Sequence, residues 1–237
     1  MRSDSASARS LDARSDSPRG GRDASETKER LLAEAARLFA ERGYAATSMR
    51  AVTQAAGVSV SAANYHFGTK EALLLATLGR TIGPVNQARI EALDALERDA
   101  AASPPSLEQV LEAFLEPAVR GRDQASGQDR FRELAARLYS DPPHVVAAFK
   151  EENFGPLSQR FTAAFQRAVP DRDPREVAVA FHLIVGMMVH VISGQLELGN
   201  LAFESGTALP DDDELLAEMI RFGAAGLRST VPRSELA

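Results

Sequence analysis

The stretch TSMRAVTQAAGVSVSAANYHFGTKEALL, residues 47–74, constrains this chain more than any other. It holds two short runs of helical periodicity and the start of a third, with very few residues between them. Thr47 or Ser48 is placed to cap a first helix, over 48–56, whose inner face is Val52, Ala55 and Ala56. Gly57 stands where a tight turn needs positive φ, Val58 plugs the angle between the helices, and Ser59 caps the second. Gly68 ends that second helix, and Thr69 caps a third that opens with Lys70. This is the pattern of a helix-turn-helix.

The second helix, Val60 to His66, is short. At 100° per residue Ala63 and Phe67 point together toward a core, and Ser61, Ala62 and Tyr65 lie opposite, flanked by Asn64 and His66. Small residues on that outer face let such a helix enter a major groove ~12 Å wide. The first turn of the next helix offers Lys70 and free backbone N–H groups, a ready phosphate site.

The rest of the chain also reads as helical. Leu31, Leu32, Ala35, Ala36, Leu38 and Phe39 recur at helical spacing after Glu26, with Gly43 as a stop. Leu107, Val110, Leu111 and Phe114 form one apolar stripe; Phe131, Leu134 and Leu138 form another. Phe149, Phe161 and Phe165 mark a longer helix, expected to bend at Gly155-Pro156. Asp173-Pro174 opens an apolar helix over 174–198, and Asp211 to Glu214 place acid at the start of a last one ending near Arg228. No alternating strand pattern or internal repeat appears, so the expected fold is all-α. The expected division is a disordered tail (1–25), a three-helix DNA-binding domain (26–73), a helical sensor and dimerisation domain (74–230) and a short tail (231–237).

Charge supports contact with nucleic acid at one end only. The net charge is −6, yet residues 1–25 carry five Arg against four Asp and residues 26–71 carry six Lys/Arg against five Glu, so the remainder is strongly acidic. The absence of cysteine excludes disulfides and thiolate metal sites and fits a cytoplasmic protein. The N-terminus has no apolar stretch of signal-peptide length, and the most apolar run, Val177 to Ile192, reads as a buried helix too short to span a bilayer.

The run T-S-x-R-x-V-x-x-x-A-G-V-S followed by Y-H-F-G-T-K-E-A-L resembles the TetR family of bacterial regulators over about Thr27 to Leu74. The resemblance implies a ligand-controlled, sequence-specific DNA-binding regulator, most simply a repressor, that reads an inverted repeat as a homodimer. It implies a DNA-facing set of Thr47, Ser48, Arg50, Val60, Ser61, Ala62, Asn64, Tyr65, His66 and Lys70. Within it, Arg50 and the exposed part of Val60–Asn64 meet base edges, while Ser48, Tyr65, His66 and Lys70 grip phosphates. Asn64 departs from the aromatic residue that many relatives carry there; it either reads adenine or braces Tyr65. The phrases NYHFGTK and FHLIVGMMVH, with the Gly83-Pro84 break, are similar to one branch of the family, some of whose members respond to long-chain fatty acids or acyl thioesters.

The body supports a small apolar ligand and a second subunit. The helix over 174–198 is apolar around nearly its whole circumference and needs cover on two sides. The last helix carries Gly223-Ala224-Ala225-Gly226, which permits close helix approach, so the two helices form an expected isologous interface. Phe114, Leu134, Leu138, Phe149, Phe154, Phe181, His182 and Met188 are the candidate ligand lining, with ordinary core packing as the alternative for each. His182 and His190 lie two helical turns apart, about 12 Å, too far to share one metal ion. No metal and no cofactor is expected, and no paired-carboxylate, Ser-His-Asp or phosphate-loop pattern supports an enzyme. A helical adaptor that binds other proteins is the remaining alternative, separable by a gel shift on upstream DNA.

Overall fold

A computed structural model describes residues 19–99, 104–120, 134, 143–192 and 210–229. Among these residues the chain forms eight α-helices and no strand: α1 (Arg19–Ala46), α2 (Met49–Ala56), α3 (Val60–Phe67), α4 (Lys70–Asp99), α5 (Leu107–Val119), α6 (Pro143–Ala168), α7 (Pro174–Ile192) and α8 (Asp212–Arg228).

The N-terminal head is built around α1. Its stripe of Leu31, Ala35, Leu38 and Phe39 is buried against Val52 and Ala56 of α2, Ala63 of α3, and Leu73 and Leu74 of α4. The body packs α5, α6 and α7 around a cluster of aromatic rings. Phe114 meets Phe161 and Phe181 edge-on, with centroids 5.1 and 4.9 Å apart, and Phe165 lies 5.3 Å from Phe181. Among the described helices, α4 packs extensively on both halves, touching α1 and α3 at one end and α5 and α6 at the other.

Helix ends follow the sequence signals closely. Ser106 and Asp211 each form a reciprocal capping box, with Gln109 and Glu214 respectively. Asp173 accepts from the Arg175 N–H, and Pro174 stands at the first turn of α7.

Several expectations are corrected. Helix α1 begins at Arg19, seven residues ahead of Glu26, because once the apolar stripe anchors a helix each added residue gains a hydrogen bond without a new nucleus. Gly43, by contrast, does interrupt the helix as expected: it leaves helical geometry (φ 76°, ψ 171°), and only a short further turn follows to Ala46. On α2 it is Thr53, not Ala55, that completes the buried face with Val52 and Ala56; its hydroxyl donates to the Arg50 carbonyl (3.0 Å), which makes the polar group tolerable there. Neither Gly83-Pro84 nor Gly155-Pro156 ends its helix: both prolines lie inside α4 and α6, and the bend expected at Gly155-Pro156 is compatible with a continuous helix. Packing on both flanks holds each helix together where proline removes one backbone bond.

At 19 residues, α7 is long and apolar enough to cross a membrane by length and composition alone, contrary to the expectation that it is too short. It packs instead against α5, α6 and α8. One face (Val177, Phe181, Ile184, Met188) is buried and the opposite face stays open. The expected tail over 1–18, Phe131, Leu138, residues 193–198 and the tail from 231 lie outside the described residues.

Candidate nucleic-acid interface and body cavity

The geometry of the head follows from three caps and one turn. Ser48 Oγ accepts from the Ala51 N–H, Ser59 Oγ from Ala62, and Thr69 Oγ1 from Ala72, each at 3.1 Å. Gly57 holds left-handed φ/ψ (64°, 36°), which turns α3 away from α2. Arg30 of α1 fixes that corner, donating to the carbonyls of Ala56 and Gly57 at the C-terminal end of α2. A Cβ on residue 57 would lie 3.0 Å from the same guanidinium.

Held this way, α3 turns Ala63 fully inward and leaves Val60, Ser61, Asn64 and Tyr65 exposed, with Ala62 and His66 half-buried. Tyr65 is 84% exposed, with its ring against the edge of His66 at 5.3 Å. Arg50 and Ser48 are exposed at the start of α2. While Ser48 Oγ accepts the capping bond, its own hydrogen stays free to donate outward. The surface therefore combines a small-sided helix, the exposed cation of Arg50 and several hydroxyl and amide donors.

Two residues of the expected DNA-facing set are placed differently. Thr47 is buried, its hydroxyl directed at the carbonyls of Gly43 (2.8 Å) and Leu38 (3.1 Å). Lys70 folds its ammonium back onto the carbonyls of Tyr44 and Thr47, both at 3.0 Å, and over the Tyr44 ring at 4.0 Å. The departure from helix at Gly43 leaves carbonyls that need donors, and these two side chains supply them. The backbone N–H groups of Lys70 and Glu71, at the first turn of α4, have no intrahelical acceptor.

The body contains a partly open cavity of about 400 Å³, lined by α4, α5, α6 and α7. Of the expected lining, Phe114, Phe154, Phe181, His182 and Met188 border it. Phe149 and Leu134 are buried in the core but do not border it, because close packing fills the space around them. His182 is exposed, at the cavity's rim. Sequence reasoning missed Ile82 and Arg89 on α4 and Lys150, Ser158 and Thr162 on α6. The available signal was Arg89 itself: it stands seven residues after Ile82 and four before Leu93, on the buried stripe of its helix.

A second concavity runs along the outer side of the body between α7 and α8. Val179 and Leu183 of α7 and Phe222 of α8 border it, 61, 68 and 72% exposed. The small-residue run is divided between two duties. Gly223 is buried against Leu111 and Ile184 of its own chain, where a Cβ would sit 3.2 Å from Leu111; Ala225 and Gly226 remain exposed. Among the described residues no three His, Asp or Glu side chains gather into a metal-binding group.

Residues 31–77 match the family described as bacterial regulatory proteins, tetR family, and residues 112–226 match the tetracyclin repressor-like C-terminal domain. An uncharacterised HTH-type transcriptional regulator of Bacillus subtilis, YerO, is 38% identical over 80 residues, 34% of this chain; the match spans about a quarter (26%) of that relative's length. Among solved structures, the fold is shared with NalD of Pseudomonas aeruginosa, the secondary repressor of the MexAB-OprM multidrug efflux pump (TM-score 0.61, 21% identity, 86% of this chain and 98% of that one). It is shared likewise with PfmR, a TetR family regulator of Thermus thermophilus (TM-score 0.55, 22% identity, 85% of this chain and 99% of that one). With the reading head and the helical body each matched in the order in which the chain presents them, this protein belongs to the TetR family: it is a DNA-binding transcriptional regulator of the repressor type, not an enzyme.

Proposed function

We propose that the chain reads an inverted-repeat operator as a homodimer and releases it when a small apolar ligand enters the body cavity. The observation that carries this reading is the division of labour in α4. Its first turn lies beside the reading helix, and its later turns place Ile82 and Arg89 at the cavity. An occupant of the cavity therefore touches the same rigid element that sets the position of the head.

Arg50 and the exposed face of α3 (Val60, Ser61, Ala62, Asn64) are the base readers. Ser48, Tyr65, His66 and the first-turn N–H groups of α4 hold phosphates. Dimerisation uses the open faces of α7 and α8, where Val179, Leu183 and Phe222 would otherwise leave large apolar side chains in water. The cavity's aromatic and aliphatic lining selects a largely hydrocarbon ligand, with a fatty acyl chain as the lead candidate.

The test of the reading head is a gel shift comparing operator and random DNA. Arg50→Ala is expected to weaken operator binding by ~1–3 kcal/mol and to relax preference at one base pair. Equal weakening on both DNAs would remove Arg50 from the readers.

A further inference from the structure

The helix α3 is held at its two ends in different ways. Its C-terminal end runs through Gly68 and Thr69 straight into α4, which begins at Lys70. Its N-terminal end depends on the corner with α2, where only Val58 and Ser59 separate Gly57 from Val60. Whatever fixes that corner also fixes the start of the helix.

At this corner α2 has no cation of its own, since no basic residue lies in its last turn. The Gly57 N–H bonds to the carbonyls of Thr53 and Gln54, and the Val58 N–H to that of Thr53 (3.0 Å). The carbonyls of Ala56 and Gly57 instead receive the guanidinium of Arg30, from α1. A cation there meets the negative end of the helix dipole, and charge-assisted bonds are stronger than neutral ones. The turn is built around this side chain. A Cβ at residue 57 would lie 3.0 Å from Arg30 Nη2, and the φ of +64° favours glycine there.

The neighbouring residue carries the hold on to α4. Arg80 Nη1 donates to the Glu29 carbonyl (3.1 Å) and lies 3.0 Å from Glu29 Oε2. Through Glu29 and Arg30, α4 reaches the N-terminal end of α3 by side chains, as it reaches the other end by the chain itself. The placement has little tolerance. An eight-residue helix is ~12 Å long, so a tilt of about 5° moves one end relative to the other by ~1 Å. A shift of that size takes a base-edge hydrogen bond, which needs about 2.7–3.2 Å, out of range. Attraction to phosphate survives it, because that term is electrostatic and independent of sequence.

We infer that Arg30 is a positioning residue for base reading, held in turn by Arg80 through Glu29. It acts on DNA only through α3. This rests on the reading of α3 as the base reader and adds the side chains that aim it.

The test is fluorescence anisotropy on the full chain with two duplexes of equal length, the footprinted operator and a scrambled sequence. Arg30→Gln is expected to lower the ratio of operator to scrambled affinity about 5–50-fold, the effect of losing charge-assisted hydrogen bonds. Affinity for the scrambled duplex is expected to fall by no more than about twofold, because the phosphate-holding groups are untouched. Arg30→Lys keeps a charge and donors at the corner and is expected to restore most of the ratio. Urea unfolding checks that each variant folds. A folded Arg30→Gln protein that keeps the natural ratio, or weakens equally on both duplexes, overturns the inference and leaves α3 as the reader. Arg80→Gln alters an exposed side chain and decides the matter if Arg30→Gln does not fold. Its ratio is expected to fall about 2–5-fold, the size of an exposed ion pair, and an unchanged ratio overturns the inference. Natural protein that binds both duplexes alike removes the base-reading role of α3, and this inference with it.

Discussion

At the scale of single residues, Lys70 is the position where sequence and structure assign different work. Its spacing after Gly68-Thr69 made it a phosphate ligand by resemblance, and the structure gives its ammonium two carbonyls at the corner between α1 and α2. Charge-assisted bonds of this kind contribute about 1.5–3 kcal/mol when well formed. Lys70→Ala is therefore expected to lower the stability of the chain by ~1–3 kcal/mol in urea unfolding, with little change in the salt dependence of DNA binding. Unchanged stability together with a salt slope reduced by about one would return Lys70 to the phosphate contacts. The reading face itself was legible because helical phase alone separates Ala63 from Ser61, Asn64 and Tyr65. Thr47 and Thr53 were not legible, and Arg89 was legible only as a position on the buried stripe of its helix, not in its partners. A polar residue can turn inward only where a specific acceptor waits, and acceptors such as the carbonyls of Gly43, Arg50 and Phe114 become known only once the backbone is placed.

At the scale of elements, caps were easier to read than breaks. Ser48, Ser59, Thr69, Asp173 and Asp211 all cap where their types and spacing suggest, since a cap is settled by bonds within a few residues. The prolines inside α4, α5 and α6 do not end their helices, because packing from neighbouring helices outweighs a local loss of ~3 kcal/mol. Pro84 still leaves the Arg80 carbonyl without its helical donor and crowds it. Pro84→Ala is expected to stabilise the chain by up to ~3 kcal/mol and to change the effect of a cavity-bound inducer on operator affinity by at most about 5–150-fold, the usual span of coupling between sites. An unchanged inducer effect in a normally folded Pro84→Ala protein would make this proline a feature of architecture alone.

At the scale of the whole molecule, the α7–α8 surface and the two-fold symmetry it implies carry the account. Leu183 is largely exposed, so Leu183→Glu is expected to leave helicity intact, halve the mass in solution, and sharply weaken binding to two half-sites while sparing contact with one. A Leu183→Glu protein of undiminished mass would move the interface elsewhere. In the proposed dimer two such heads, held by one symmetric body, read two half-sites of one operator. Footprinting of the natural protein on its upstream DNA tests this most directly. Protection is expected over an inverted repeat whose half-sites lie about one helical turn apart, or a multiple of it. Protection of a single asymmetric half-site by a monomer would contradict it.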